Sequence, residues 1–190
     1  MAVAVGLAAA ALWLLRSARV PEEEEEERGK PMSRAEVPED VFLWAGEQLR
    51  HGQDVDKILA LLREVSSSDK VEDLIAARCL DALVTEGVAQ THAESVLFIL
   101  ANAARSPSSH KFFFSGRFSF ERFIDFSEAA TRRELLRLML NLTYDKFTCS
   151  LCVQRLKLME MLDIASKDTD RQNLLLVEKI QHNVHMNEQS

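Results

Sequence analysis

Proline and glycine are scarce in this chain of 190 residues, with four and six respectively, and three of the four prolines lie at or before Pro38. Beyond that point only Pro107 interrupts the sequence, so long helices are permitted and a turn-rich β architecture is disfavoured. Cysteine is also rare: Cys79, Cys149 and Cys152 are too few, and odd in number, for a disulfide framework, and they suit a reducing compartment. Positive charge never accumulates. The net charge is −7, and residues 21–30 alone set six Glu against Arg28 and Lys30. A nucleic-acid surface needs a clustered positive excess, so nucleic acid is not an expected partner. Catalytic signatures are missing too. The five histidines are scattered, no phosphate-cradling glycine loop occurs, and no Ser or Cys nucleophile sits in a motif; the reading is a non-enzyme with no cofactor, no small-molecule substrate and no metal.

What is present begins at the N-terminus. Ala2–Leu15 is an uncharged apolar run containing Trp13, followed at once by Arg16 and Arg19. As a helix its fourteen residues rise about 21 Å, short of a hydrocarbon core of roughly 30 Å. Snorkelling arginines extend the span in a thin bilayer. A cleaved secretory signal carries its charge before the apolar run, and a matrix transit peptide is amphipathic and Arg-rich. A signal anchor over residues 1–20 fits best, and the positive-inside rule then leaves the body of the protein in the cytosol. Secretory cleavage, with a luminal or secreted body, is the competing reading. A short anchor with a basic C-terminal flank resembles mitochondrial outer-membrane signals, with the endoplasmic reticulum second. Residues 21–38, PEEEEEERGKPMSRAEVP, read as an acidic flexible linker that lifts the domain off the membrane.

From residue 39 to about 185 the periodicity is helical, with residues 186–190 expected as a disordered tail. Val41, Leu43, Trp44 and Leu49 share one side of a first helix ending near Gly52, and Val55–Leu62 form a second, ending at Ser66–Ser68. Three capping-box patterns, Asp69…Glu72, Thr91…Glu94 and Thr131…Glu134, each open an apolar run. The chain also matches itself at a shift of about 39 residues. VLFILANAARS aligns with LLRLMLNLTYD, setting Asn102 over Asn141, and a partial third copy puts Lys179 in the same row. A helical period near 40 signals an α-solenoid of stacked hairpins.

The strings ILANAA (Ile99–Ala104) and LMLNLT (Leu138–Thr143) resemble the third-helix segment of armadillo repeats, and FERFIDF (Phe120–Phe126) and LMEMLDI (Leu158–Ile164) resemble the second. The layout of short anchor, charged spacer and helical repeats resembles membrane-anchored armadillo proteins of the mitochondrial outer membrane. The resemblance implies an all-α fold, a short armadillo-like α-solenoid, with Asn102 and Asn141 on its concave face to hydrogen-bond an extended protein partner. Lys179 would be the third member of that row, with Phe98 and Arg137 beside it. It further implies an adaptor or scaffold, or alternatively a nucleotide-exchange co-chaperone of the Hsp70 class. The usual Gly between first and second helices survives only as Gly116; Arg155 or Leu156 holds that place in the next unit.

Two motifs receive bland readings. Cys149 and Cys152 lack partners at metal spacing and share a helical face as small core thiols. The segment GRFSFERF superficially resembles an RNA-recognition strand, but its helical surroundings favour rings packed between hairpins. The anchor reading has a direct check: on intact organelles the body should be digested by added protease, and a body shielded until detergent is added would place it in a lumen.

Overall fold

The computed structural model describes residues 39–67, 71–76, 78–119, 123 and 128–189. The expected anchor and linker, Asp69, and most of Phe120–Phe126 lie outside the described residues. Among the described residues every regular element is a helix and no strand occurs. In chain order these are α1 (Glu39–Arg50), α2 (Val55–Ser66), α3 (Val71–Ala76), α4 (Cys79–Leu83), α5 (Glu86–Thr91), α6 (Ala93–Ala103), α7 (Pro107–Phe114), α8 (Ala129–Leu142), α9 (Lys146–Arg155), α10 (Leu158–Ala165) and α11 (Arg171–Gln189). None of the described helices is long and apolar enough to cross a membrane.

Why the helices sit where they do follows from their buried faces. Phe42, Ala45 and Leu49 of α1 recur at intervals of three and four and are buried, as are Ile58, Leu59, Leu62 and Val65 of α2. Leu43, assigned from the pattern to the buried side of α1, is instead 48% exposed, because Phe42 takes the core-facing position beside it. Helix α6 is different. Val96, Leu97, Ile99, Leu100, Ala101 and Ala103 are all fully buried, so α6 is covered on nearly every side. It packs against α2 on one flank and makes its largest contact with α8 on the other; α8 in turn packs on α11. The four helices α2, α6, α8 and α11 therefore lie side by side in chain order. Truncating such a position, as in Leu100→Ala, removes apolar contacts worth about 2–5 kcal/mol.

The helix starts correct two expectations. Thr91 is the last residue of α5 rather than the cap of α6; the break falls at His92 (φ −126°, ψ 35°), which caps with its backbone only. Thr131 lies inside α8, buried, because Ala129 and Ala130 carry the helix two residues further back. Glu134, freed from capping, pairs with Arg137. A side-chain cap forms where the capping-box pattern marked none: Asp145 accepts the Thr148 N–H at 3.0 Å at the start of α9. At the other end α11 runs to Gln189, past the boundary expected at 185, and Asn187 donates to the Thr143 carbonyl at 3.1 Å.

Left-handed backbone marks the turns that reverse the chain. Gly116 (φ +79°) takes this conformation before the 120s, as its sequence position suggested. In the next unit Lys157 (φ +51°) does so, and Arg78 (φ +55°) occupies the turn before α4. The turn geometry thus recurs without glycine, at a cost of about 1–2 kcal/mol for each non-glycine residue.

Among the described residues of the aromatic segment no strand occurs. Phe113 meets Phe112 and Phe118 edge-on at 5.3 and 5.4 Å, and Phe118 stacks on Phe123 at 5.7 Å, so the rings pack on one another inside the protein.

A polar clasp fastens α8 to the start of α11. Arg132 donates to both carboxylate oxygens of Asp168 (2.8 and 3.1 Å), whose side chain is only 3% exposed, and Arg133 pairs with Asp170 at 2.9 Å. Asn173 bonds Asp168 at 2.7 Å and the Ala129 carbonyl at 3.2 Å. Asp170 accepts the Gln172 and Asn173 N–H groups, securing the first turn of α11. The Arg132 guanidinium, aided by Asn173 and the Asp170 N–H, holds the Asp168 carboxyl far below the usual carboxylate range. Its contribution to stability is therefore complete above the unfolded-state value of about 3.9 and is lost as pH falls towards the depressed folded value. Asp168→Asn should destabilise the neutral protein by on the order of 2–3 kcal/mol. In an acid melting series it should also remove part of the stability loss seen below about pH 4.

Candidate functional site

The residues singled out in the sequence fall on the α6–α8–α11 row, but they do not share one environment. Phe98 and Asn102 are four apart on α6, and Arg137 and Asn141 four apart on α8, so each pair shares a helix face. Packing of α6 on α8 then brings the pairs together.

Asn102 is only 5% exposed. Its Nδ2 donates to Ser66 Oγ of α2 at 3.2 Å, and its Oδ1 accepts from Arg137 Nη2 of α8 at 3.3 Å. Both ends of the amide are used within the protein, so Asn102 joins three helices instead of facing outward. Asn141 is half-buried, and its Nδ2 donates to the Ala101 carbonyl at 2.8 Å. The same type of bond appears one unit on, where Asn183 donates to Thr143 Oγ1 at 3.4 Å. These bonds span 36, 40 and 40 residues, close to the 39-residue self-match. The three asparagines thus tie together helices some forty residues apart in the chain.

Phe98 and Arg137 do meet. The Arg137 guanidinium lies 5.2 Å from the Phe98 ring centre and that of Arg63, from α2, lies 4.6 Å from it. Arg63 also donates to Ser95 at 3.0 Å and approaches Glu94 at 3.8 Å. Burial pushes the Glu134 carboxyl up, against the pull of Arg137 and Arg63. The cluster of Arg63, Arg137, Glu94 and Glu134 balances its own charge, so it offers no excess of either sign. Arg63 escaped the sequence reading because the repeat copy carrying it is out of register with the others.

Lys179 lies on the far side of Asn141 from this cluster. Between α8 and α11 an open pocket of about 450 Å³ is lined by Leu140, Asn141, Tyr144, Lys179, His182 and neighbouring α11 residues. Asn141 and Lys179 both line the pocket, together with Tyr144, which is 85% exposed at its lip. Tyr144 is the chain's sole tyrosine; no repeat pairing pointed to it.

The three thiols are free and buried. Burial pushes Cys79 and Cys152 up to about 12 and also raises Cys149. The Cys79 thiol donates to the Phe42 carbonyl at 3.1 Å. They are core groups, and no metal-holding cluster of His, Cys, Asp or Glu occurs among the described residues.

Asn102→Ala should therefore act on stability, removing one bond each from the buried Ser66 hydroxyl and the half-buried Arg137 guanidinium at a cost of about 1–3 kcal/mol. Thermal or urea melting checks this; a variant that melts like the parent chain would return Asn102 to the surface. No family model, curated protein or solved structure matches the chain.

Proposed function

We propose that this chain is a non-enzymatic, membrane-anchored adaptor whose helices form a short armadillo-like α-solenoid holding a protein partner on the cytosolic side. The observation that carries the reading is the row α2–α6–α8–α11, tied by side chains about one repeat apart. Stacked hairpins of this kind leave a continuous surface along the row, and repeat proteins use such surfaces for binding. Phe98, Arg137, Asn141 and Lys179 lie along it, with the open pocket at the α8–α11 end. Asn102 belongs to the internal ties. Peptide contact in this reading falls to Asn141, to the exposed Lys179 and His182, and to the Phe98–Arg137 pair.

The apolar run of Ala2–Leu15 and its flanking arginines support the anchor, with the mitochondrial outer membrane favoured over the endoplasmic reticulum. An adaptor of this design acts by concentrating its partner at the membrane.

Proximity labelling from the anchored full chain supplies the partners, and Lys179→Glu with His182→Glu tests the surface. Both positions are exposed, so melting should be unchanged while partner affinity falls about tenfold or more, a loss of roughly 1.4 kcal/mol or greater. An unchanged partner set at unchanged affinity would remove the α8–α11 surface from the function.

A further inference from the structure

The exposed apolar side chains are unevenly placed. Among the described residues Leu43 is the one large apolar side chain left exposed before Tyr144, whereas Met159, Ile164, Leu175 and Met186 are about half exposed on α10 and α11. Helix α11, the longest described, is also the outermost of the α2–α6–α8–α11 row. Asn173, Val177, Ile180 and Val184 form its buried side, and the helix packs on α8, α9 and α10. At about 3.6 residues per turn, Leu175, Lys179, His182 and Met186 fall on the opposite side, and all four are exposed. This outer face reads alike from either end. About a point between Ile180 and Gln181, Leu175 mirrors Met186, Lys179 mirrors His182, and Glu178 lies one residue from the mirror position of His182.

We propose that the outer face of α11 is where two copies of this chain meet, the two helices lying antiparallel about a two-fold axis between Ile180 and Gln181. Leu175 of each copy then packs on Met186 of the other, whose flexible thioether adapts to the leucine. Three observations favour a second copy as the occupant. First, a two-fold contact needs a surface complementary to itself, and the mirrored order supplies one. Second, the charges fit. Antiparallel pairing sets Glu178 of each copy beside His182 of the other, whereas a parallel pair would set Glu178 against Glu178 and Lys179 against Lys179. Lys179 carries its ammonium on a long stem that reaches the rim of the contact. Third, antiparallel helices oppose their dipoles, which a parallel pair would align. The face is narrow, so the contact belongs among small and transient interfaces. The inference goes beyond the adaptor reading and does not rest on it. A second copy would cover Lys179 and His182, so self-association and a protein partner at that edge exclude one another.

The test is thiol cross-linking of the full chain in mild detergent at high protein concentration. A Leu175→Cys chain and a Met186→Cys chain are treated with a short bismaleimide, separately and mixed. The three native thiols are buried, and the unaltered chain measures any reaction they give. The two-fold arrangement places position 175 of one copy over position 186 of the other, but holds the two copies of position 175 about 16 Å apart along the helix. The expected result is a covalent dimer from the mixture and little from either chain alone. Adding Leu175→Glu to the Met186→Cys chain keeps both reacting thiols and spoils the other half of the symmetric contact. It should lower the yield about tenfold, because a carboxylate would then lie against Met186. Both positions are exposed, so melting should be unchanged. Equal yields from the mixture and from Leu175→Cys alone overturn the antiparallel contact, as does a mixture that gives no dimer. A yield indifferent to Leu175→Glu marks chance encounters in shared micelles and overturns it too. Partner capture by proximity labelling is read separately, so failure here leaves the adaptor reading standing.

Discussion

The fold depends on one side-chain amide more than on any other polar group. Asn102 reaches back to Ser66 on α2 and is met by Arg137 from α8, so a single buried group ties together three helices that lie side by side, α2, α6 and α8. The apolar faces alone would not do this. Helix α6 is buried nearly all round, and a uniformly apolar cylinder can slide or rotate against its neighbours at little cost. A buried amide left without partners costs about 1–3 kcal/mol, and that penalty excludes the slipped arrangements. Asn141 and Asn183 repeat the device at the next two interfaces, and the Arg132–Asp168 clasp adds a charged version of it.

This arrangement divides the polar groups into two sets with different work. Those with both ends used, Asn102 above all, specify the stacking. Those at the open edge, Lys179, His182 and Tyr144, are exposed around a pocket and are free to meet something else. The Phe98 ring lies between the sets. It holds the guanidiniums of Arg63 and Arg137 on one aromatic group, and with Glu94 and Glu134 nearby the charges balance. An extended partner would thus meet a surface of little net charge there, which favours main-chain and apolar recognition over charge matching.

The thiols, the Asn141 amide and the phenylalanines all carry possible chemistry in a sequence, and the structure accounts for those it describes by packing or hydrogen bonding. Burial raises the thiols out of their reactive range. The amide of Asn141 is engaged with a backbone carbonyl. The phenylalanines of the 110s interlock with one another.

By itself the sequence determined the helices, because a 3.6-residue apolar period with almost no proline or glycine permits little else, and it determined the 39-residue offset that recurs in the bonds between units. The same offset singled out Asn102, Asn141 and Lys179. Tertiary structure alone decided which of those residues face water. In VLFILANAA nearly every side chain is apolar, so no periodicity reveals where Asn102 points; its neighbours on both flanks settle that. The capping pattern also misplaced a helix start, since the helix-forming Ala129 and Ala130 carried α8 back and left Thr131 in its interior. The left-handed turn falls at Lys157 and not at Arg155 or Leu156, the positions the sequence offered, and it is adopted at a strain of about 1–2 kcal/mol. Local rules yielded the elements and their spacing, whereas orientation depended on contacts some forty residues away.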